Sequence, residues 1–125
     1  MKSLDIKYIT NLSFPDSTVK GMIIDKDLRT LKIKVDTAWL DNNGGITLNN
    51  GELMFFRYEA IECKSYNKIN EDFTWVKCQD IVVLKDICEF QIVGNKIILR
   101  GFGSSSGFWT EITIINSSVT FSFEN

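Results

Sequence analysis

Histidine is absent from all 125 residues. That absence removes Ser-His-Asp and Cys-His nucleophilic catalysis, imidazole general acid–base chemistry, and every zinc or iron site built on imidazole. Cysteine is scarce, limited to Cys63, Cys78 and Cys88. An odd count without C-x-x-C spacing makes neither a disulfide framework nor a zinc or redox motif. Cys78 alternates with Val76 and Cys88 with Phe90, the pattern of small buried hydrophobes in a reducing compartment. Long apolar runs are missing too. Ile81–Leu84 is among the longest, far below the ~18 residues of a membrane-spanning helix. The opening Met1-Lys2-Ser3-Leu4-Asp5-Ile6-Lys7 lacks the apolar core of a secretory signal. A cytoplasmic protein with no membrane contact is the expectation.

Charge of one sign is lacking as well. Fourteen Lys and Arg against sixteen Asp and Glu give a net charge of −2. Residues 1–62 carry eight basic and nine acidic side chains and residues 63–125 carry six and seven, so each half is at −1. No basic stripe is available to neutralise phosphates, which argues against direct binding of nucleic acid.

What is present is period-two alternation. Leu31-Lys32-Ile33-Lys34-Val35-Asp36 and Val119-Thr120-Phe121-Ser122-Phe123-Glu124 place apolar residues on one face and polar ones on the other. Residues 18–36 read as a hairpin turning at Asp25-Lys26-Asp27. Asp41–Gly45 and Asn49-Asn50-Gly51 read as turns around a short strand Ile46–Leu48. Glu52–Cys63 reads as one long strand, central or bent by a bulge near Ala60. Residues 65–72 form the most polar stretch and read as a loop, and a brief helix is expected within 73–84. Gly94-Asn95 reads as a two-residue hairpin turn, and Asn116-Ser117-Ser118 turns the penultimate strand into the last. The expected fold is a single all-β domain over 1–125. It is an antiparallel sandwich or partly open barrel of about eight short strands with at most one short helix.

Motifs that suggest chemistry fail on context. Gly103-Ser104-Ser105-Ser106-Gly107 matches G-x-S-x-G, but the elbow needs a following helix and a histidine. A strand pattern, Phe108–Ile114, follows instead. Gly101-x-Gly103-x-x-x-Gly107 lacks the lysine and helix of a phosphate loop, which leaves a recognition loop as its functional reading. Carboxylate pairs such as Glu59 with Glu62 or Glu111 with Glu124 are expected by chance among sixteen acids. Asp25-Lys26-Asp27 lacks the glycine and closing glutamate of a calcium loop. No cofactor or metal is expected. Trp39, Trp75 and Trp109 are core fillers or half-exposed anchors, and the core suits Trp109 best.

Phe14-Pro15-Asp16-Ser17 leads into two strands, and Ile98-Leu99-Arg100-Gly101-Phe102-Gly103 is followed by Phe108-Trp109-Thr110-Glu111-Ile112. In that order these stretches resemble a loose group of small all-β bacterial immunity proteins, encoded beside polymorphic or contact-dependent growth inhibition toxins. The resemblance implies a non-enzymatic cytosolic inhibitor that binds and neutralises a toxin domain, a basic nuclease being the fitting class. It carries over no functional residue. The expected contact surface combines acidic side chains with half-exposed aromatics: Tyr66, Glu71, Asp72 and Trp75 around 65–72, Trp39 and Asp41 beside the first turn, and Phe108 of the glycine-rich loop. A sugar- or small-ligand-binding β module using the tryptophans is the alternative, and a carboxylate-only enzyme the second.

Overall fold

The computed structural model describes residues 1–42 and 44–125; Asn43, inside the expected turn 41–45, lies outside the described residues. The strands in chain order are β1 (Lys2–Ser3), β2 (Leu12–Ser13), β3 (Ser17–Asp25), β4 (Thr30–Leu40), β5 (Ile46–Phe56), β6 (Ala60–Ile69), β7 (Asp72–Lys77), β8 (Asp86–Ile87), β9 (Glu89–Val93), β10 (Lys96–Phe102), β11 (Trp109–Ile115) and β12 (Ser118–Phe123). Three of the twelve are two-residue pairings, which leaves nine full strands among the described residues. They form two antiparallel sheets, one in the order β1-β12-β5-β4-β3-β8 with β2 added to β4, the other β7-β6-β11-β10-β9. The all-β sandwich is the observed fold, and the sheets do not close into a barrel. No helix among the described residues is long and apolar enough to cross a membrane.

Alternation explains most of the core. β4 turns Leu31, Ile33 and Val35 inward, β5 Leu53 and Phe55, and β12 Val119 and Phe121; the second sheet answers with Ile97, Leu99, Ile112, Ile114 and Cys63. Phe14 fills the centre, edge-on to Phe90 at 5.4 Å and to Phe121 at 6.0 Å. Such edge-to-face pairs place the positive ring rim on the negative ring face.

The expected hairpin over 18–36 is β3 and β4. Its turn is set by the Asp25 carboxylate, which accepts hydrogen bonds from the Asp27 and Leu28 amides at 3.0 Å each. Gly94 alone of Gly94-Asn95 has positive φ, 59°, which fits a type II′ turn between β9 and β10. Asn116, at φ 51°, turns the chain from β11 into β12, which belongs to the other sheet.

Four expectations are corrected. Asn49-Asn50-Gly51 is not a turn but a bend inside β5, with Asn50 alone at positive φ (48°). Opposite it, β4 changes inward parity from Val35 to Ala38, and the Asp36 carboxylate accepts from the Thr18 amide at 2.9 Å and the Thr37 amide at 2.7 Å. Glu52–Cys63 is not one strand, because Arg57 at φ 51° ends β5 before β6 begins. Residues 65–72 are not a loop: β6 runs to Ile69, and Asn70-Glu71, at φ 49° and 70°, makes a two-residue turn of type I′ into β7. The short helix lies at Ile6–Asn11, a 3-10 helix with Asp5 accepting from the Lys7 amide at 3.1 Å, and not within 73–84.

One segment joins the sheets. Lys85 accepts from the Val19 amide at 2.9 Å and donates to the Phe102 carbonyl at 2.8 Å, and the Cys88 amide donates to Arg100 at 2.8 Å. The Asp86 carboxylate also accepts from the Phe102 amide at 2.8 Å. β8 is thus wedged between β3 of the first sheet and β10 of the second.

Candidate functional site

The outer face of the second sheet carries the site. On β6 the residues Cys63 and Ser65 point inward, so Lys64, Tyr66 and Lys68 point out. The register Tyr66↔Trp75 and Lys68↔Phe73 puts Phe73, Trp75 and Lys77 of β7 on the same face. Continuing the Ser65↔Thr110 register by one step sets Trp109 beside Tyr66, and Phe102 is paired with Trp109. One row of rings, Trp75-Tyr66-Trp109-Phe102, therefore crosses four strands, with Phe73 beside it.

The rings touch. Tyr66 lies 5.5 Å from Trp75 and stacks on Phe73 at 5.7 Å, and Phe102 meets Trp109 edge-on at 5.1 Å. They are also exposed: Trp75 by 42%, Tyr66 by 38%, Phe73 by 56% and Phe102 by 39%. Lys64 Nζ sits 4.8 Å above the Trp75 ring and Lys85 Nζ 5.8 Å from that of Phe102, geometries in which the ring face attracts the cation.

The next row of the same face is charged and internally paired. Glu111, largely buried, accepts from Arg100 Nε at 2.8 Å and lies 3.2 Å from Lys64 Nζ; Arg100 also reaches Glu89 at 3.3 Å. This network holds Lys64 and Arg100 upright at the border of the aromatic row. Packing long charged side chains this way covers apolar surface without hiding the rings.

The expected contact residues fall into separate places. Tyr66 and Trp75 are brought together. Glu71 is at the exposed turn, and Asp72, paired with Ile69, lies on the other side of the hairpin from Phe73 and Trp75. Trp39 stands on the outer face of the first sheet, between inward Ala38 and Leu40, with its indole so close over Gly45 that a Cβ there would be 2.0 Å from its Cζ2. Asp41 follows it, donating its amide to the Asn11 carbonyl at 3.0 Å. Trp39 and Asp41 therefore belong to the opposite side of the sandwich from Tyr66. Phe108 lies on the loop between β10 and β11, exposed at the mouth of a cleft.

That cleft, of about 510 Å³, runs beneath the β6–β7 hairpin and is lined by Asn67, Val76, Val82, Ser105 and Phe108 among others. Asn67 Oδ1 is buried there with no hydrogen-bond partner among the described residues. The loop above it connects strand to strand, pinned by Gly103 N to Phe108 O at 2.9 Å, so Ser105 sits in a hairpin connection and not on a strand–helix elbow. Among the described residues no group of three or more Cys, Asp or Glu is placed to hold a metal ion.

Sequence reasoning missed Phe73, Phe102 and Trp109 as surface anchors; Trp109 was expected in the core. The alternation Phe73-Thr74-Trp75 was a usable signal for the first. For the other two the faces follow only once β10 and β11 are known to neighbour β6. No protein family, curated protein or solved structure matches the chain.

Proposed function

We propose that this chain is a non-enzymatic protein-binding domain whose partner seats on the aromatic row of the second sheet. The finer reading is an immunity protein that neutralises a toxin domain by covering it. The row itself carries the proposal: five aromatic side chains clustered on one sheet face, four of them substantially exposed, form the anchor pattern of a binding hot spot. The resemblance to small all-β immunity proteins supports the finer reading.

Charge refines the partner. Lys64, Lys68 and Lys77 share the face with the rings, so the matching patch of the partner is acidic. A basic toxin would instead be met at the hairpin tip, where Glu71 and Asp72 are exposed. The test is affinity for the toxin domain encoded beside this chain's gene. Tyr66→Ala and Trp109→Ala should each weaken binding by about 2 kcal/mol or more, while Glu71→Lys/Asp72→Lys reports on the tip. Unchanged affinity in both aromatic variants would reject this face.

The cleft under the hairpin favours a second reading, a site for a small neutral ligand such as a saccharide, with Asn67 Oδ1 accepting a hydroxyl. Saccharide titration followed by amide shifts at Asn67 and Phe108 separates it from the first.

A further inference from the structure

β7 is the last strand of its sheet, and nothing among the described residues pairs with its far side. The Cys78 amide donates to the Cys63 carbonyl at 2.8 Å, which fixes the parity of the ladder. Asp72, Thr74 and Val76 turn their amides and carbonyls toward β6, so Phe73, Trp75 and Lys77 turn theirs outward. Six residues of open edge carry three unpaired donor–acceptor sets. Natural edges of this kind are blunted by proline, a bulge or a central charge. β7 has none of these; its charges stand only at its ends, Asp72 at one and Lys77 at the other.

We propose that β7 pairs antiparallel with β7 of a second copy of this chain, joining two five-stranded sheets into one. The strand is aromatic at its start (Phe73) and basic at its end (Lys77) on one and the same face, so an antiparallel copy centred on Trp75 sets each lysine against a ring and not against a second lysine. With Trp75 opposite the partner's Trp75, Phe73 falls opposite the partner's Lys77. The outward-turned amides then meet one another, the two indoles pack across the axis, and each lysine covers a phenylalanine ring. The inner face pairs Thr74 with the partner's Val76, both β-branched. Other free edges suit this less well. β1 has two residues, and the one aromatic of β9, Phe90, is turned inward against Phe14.

This pairing is independent of any toxin, and it is tested on the isolated chain. Sedimentation from about 1 to 500 μM should show a concentration-dependent dimer. Over the same range, amide exchange at Phe73, Trp75 and Lys77 should slow by about tenfold or more, while Thr74 and Val76 are protected throughout. Trp75→Pro removes an outward amide without touching the β6 ladder and should be monomeric, whereas Trp75→Val keeps the amide and should still dimerise, more weakly. A monomer at every concentration overturns the proposal. So does a dimer whose Phe73, Trp75 and Lys77 amides stay fast, or one that Trp75→Pro leaves as strong as Trp75→Val. Where a variant fails to fold or both lose association, the wild-type exchange pattern decides.

Discussion

Gly101 stands against the backbone of Asp86: a Cβ at residue 101 would lie 2.1 Å from the Asp86 carbonyl oxygen. The contact is where β8 is wedged against β10, and the obstacle is main chain, which cannot swing aside like a side chain. Gly101→Ala should therefore cost at least the ~1–3 kcal/mol of ordinary overpacking. Gly21→Ala is the control, since nothing among the described residues lies within 4 Å of its would-be Cβ; it should stay within about 0.5 kcal/mol of the parent. Urea unfolding of the two variants makes the comparison, and equal midpoints would refute the wedge.

The β6–β7 turn places a glutamate in the left-handed region, Glu71 at φ 70° after Asn70 at φ 49°. A side chain there costs about 1 kcal/mol that glycine does not bear. Glu71→Gly, giving the favoured Asn-Gly pair of a type I′ turn, should raise stability by about 0.5–1 kcal/mol. A loss of stability on substitution would mean that the Glu71 side chain contributes more than its backbone geometry takes away.

Glu111 is the hub of the outer-face ion network, bonded to Arg100 at 2.8 Å. Arg100→Leu leaves the carboxylate with Lys64 alone at 3.2 Å. The expected cost is about 1.5–3 kcal/mol, the range for a lost hydrogen bond to a charged group. Glu89→Ala, which removes only the exposed partner of Arg100, should cost under about 1 kcal/mol. A double-mutant cycle between residues 100 and 111 measures the coupling, and a value near zero would exclude the hub.

Burial, helped by the Cys78 thiol, pushes the Cys63 thiol up to about 12 from an ordinary 9.0. Burial, and then the Asp16 and Asp86 side chains, raise Cys88 to about 12 as well. Tyr58 is raised in the same sense by burial and by Asp25. Below the ordinary value both folded and unfolded chains keep these protons, so these three groups add no pH dependence there. Between about 9 and 12 the unfolded chain releases thiol protons that the folded chain retains, so stability falls as pH rises. Urea midpoints should decline across that window, and the decline should be shallower in Cys63→Ala/Cys88→Ala. Thiol titration of the denatured chain under non-reducing conditions should give three groups, matching Cys63, Cys78 and Cys88 as free thiols.

Much of the sandwich is legible from alternation alone, because one buried face per strand is what a two-layer fold demands. The failures have physical causes. Asn49-Asn50-Gly51 is rich in residues that accept positive φ, yet only Asn50 uses it, to bend a strand whose pairing with β4 persists on both sides. Residues 65–69 look like a loop because their outward positions, Tyr66 and Lys68, are aromatic or charged, while on the other face Ser65 and Asn67 line a cleft instead of an apolar core and Ile69 is exposed at the hairpin tip. The site was half legible. Tyr66 and Trp75 are close in sequence and share a hairpin, whereas Trp109 and Phe102 join them only through the register of two further strand pairings.

The position of β12 between β1 and β5 has a consequence for synthesis. A ribosome delivers β3, β4 and β5 early, and this meander can form as soon as it emerges. The strand that covers β5 is β12, which follows all five strands of the second sheet in the chain, so the outer edge of β5 stays bare until Ser118–Phe123 has emerged. Leu53 and Phe55, both wholly buried in the finished molecule, wait beside that edge for Val119 and Phe121. A newborn chain that pauses just before Ser118 should therefore expose that edge to chaperones, and slowing translation immediately ahead of Ser118 should cost more yield than slowing it ahead of Ser17.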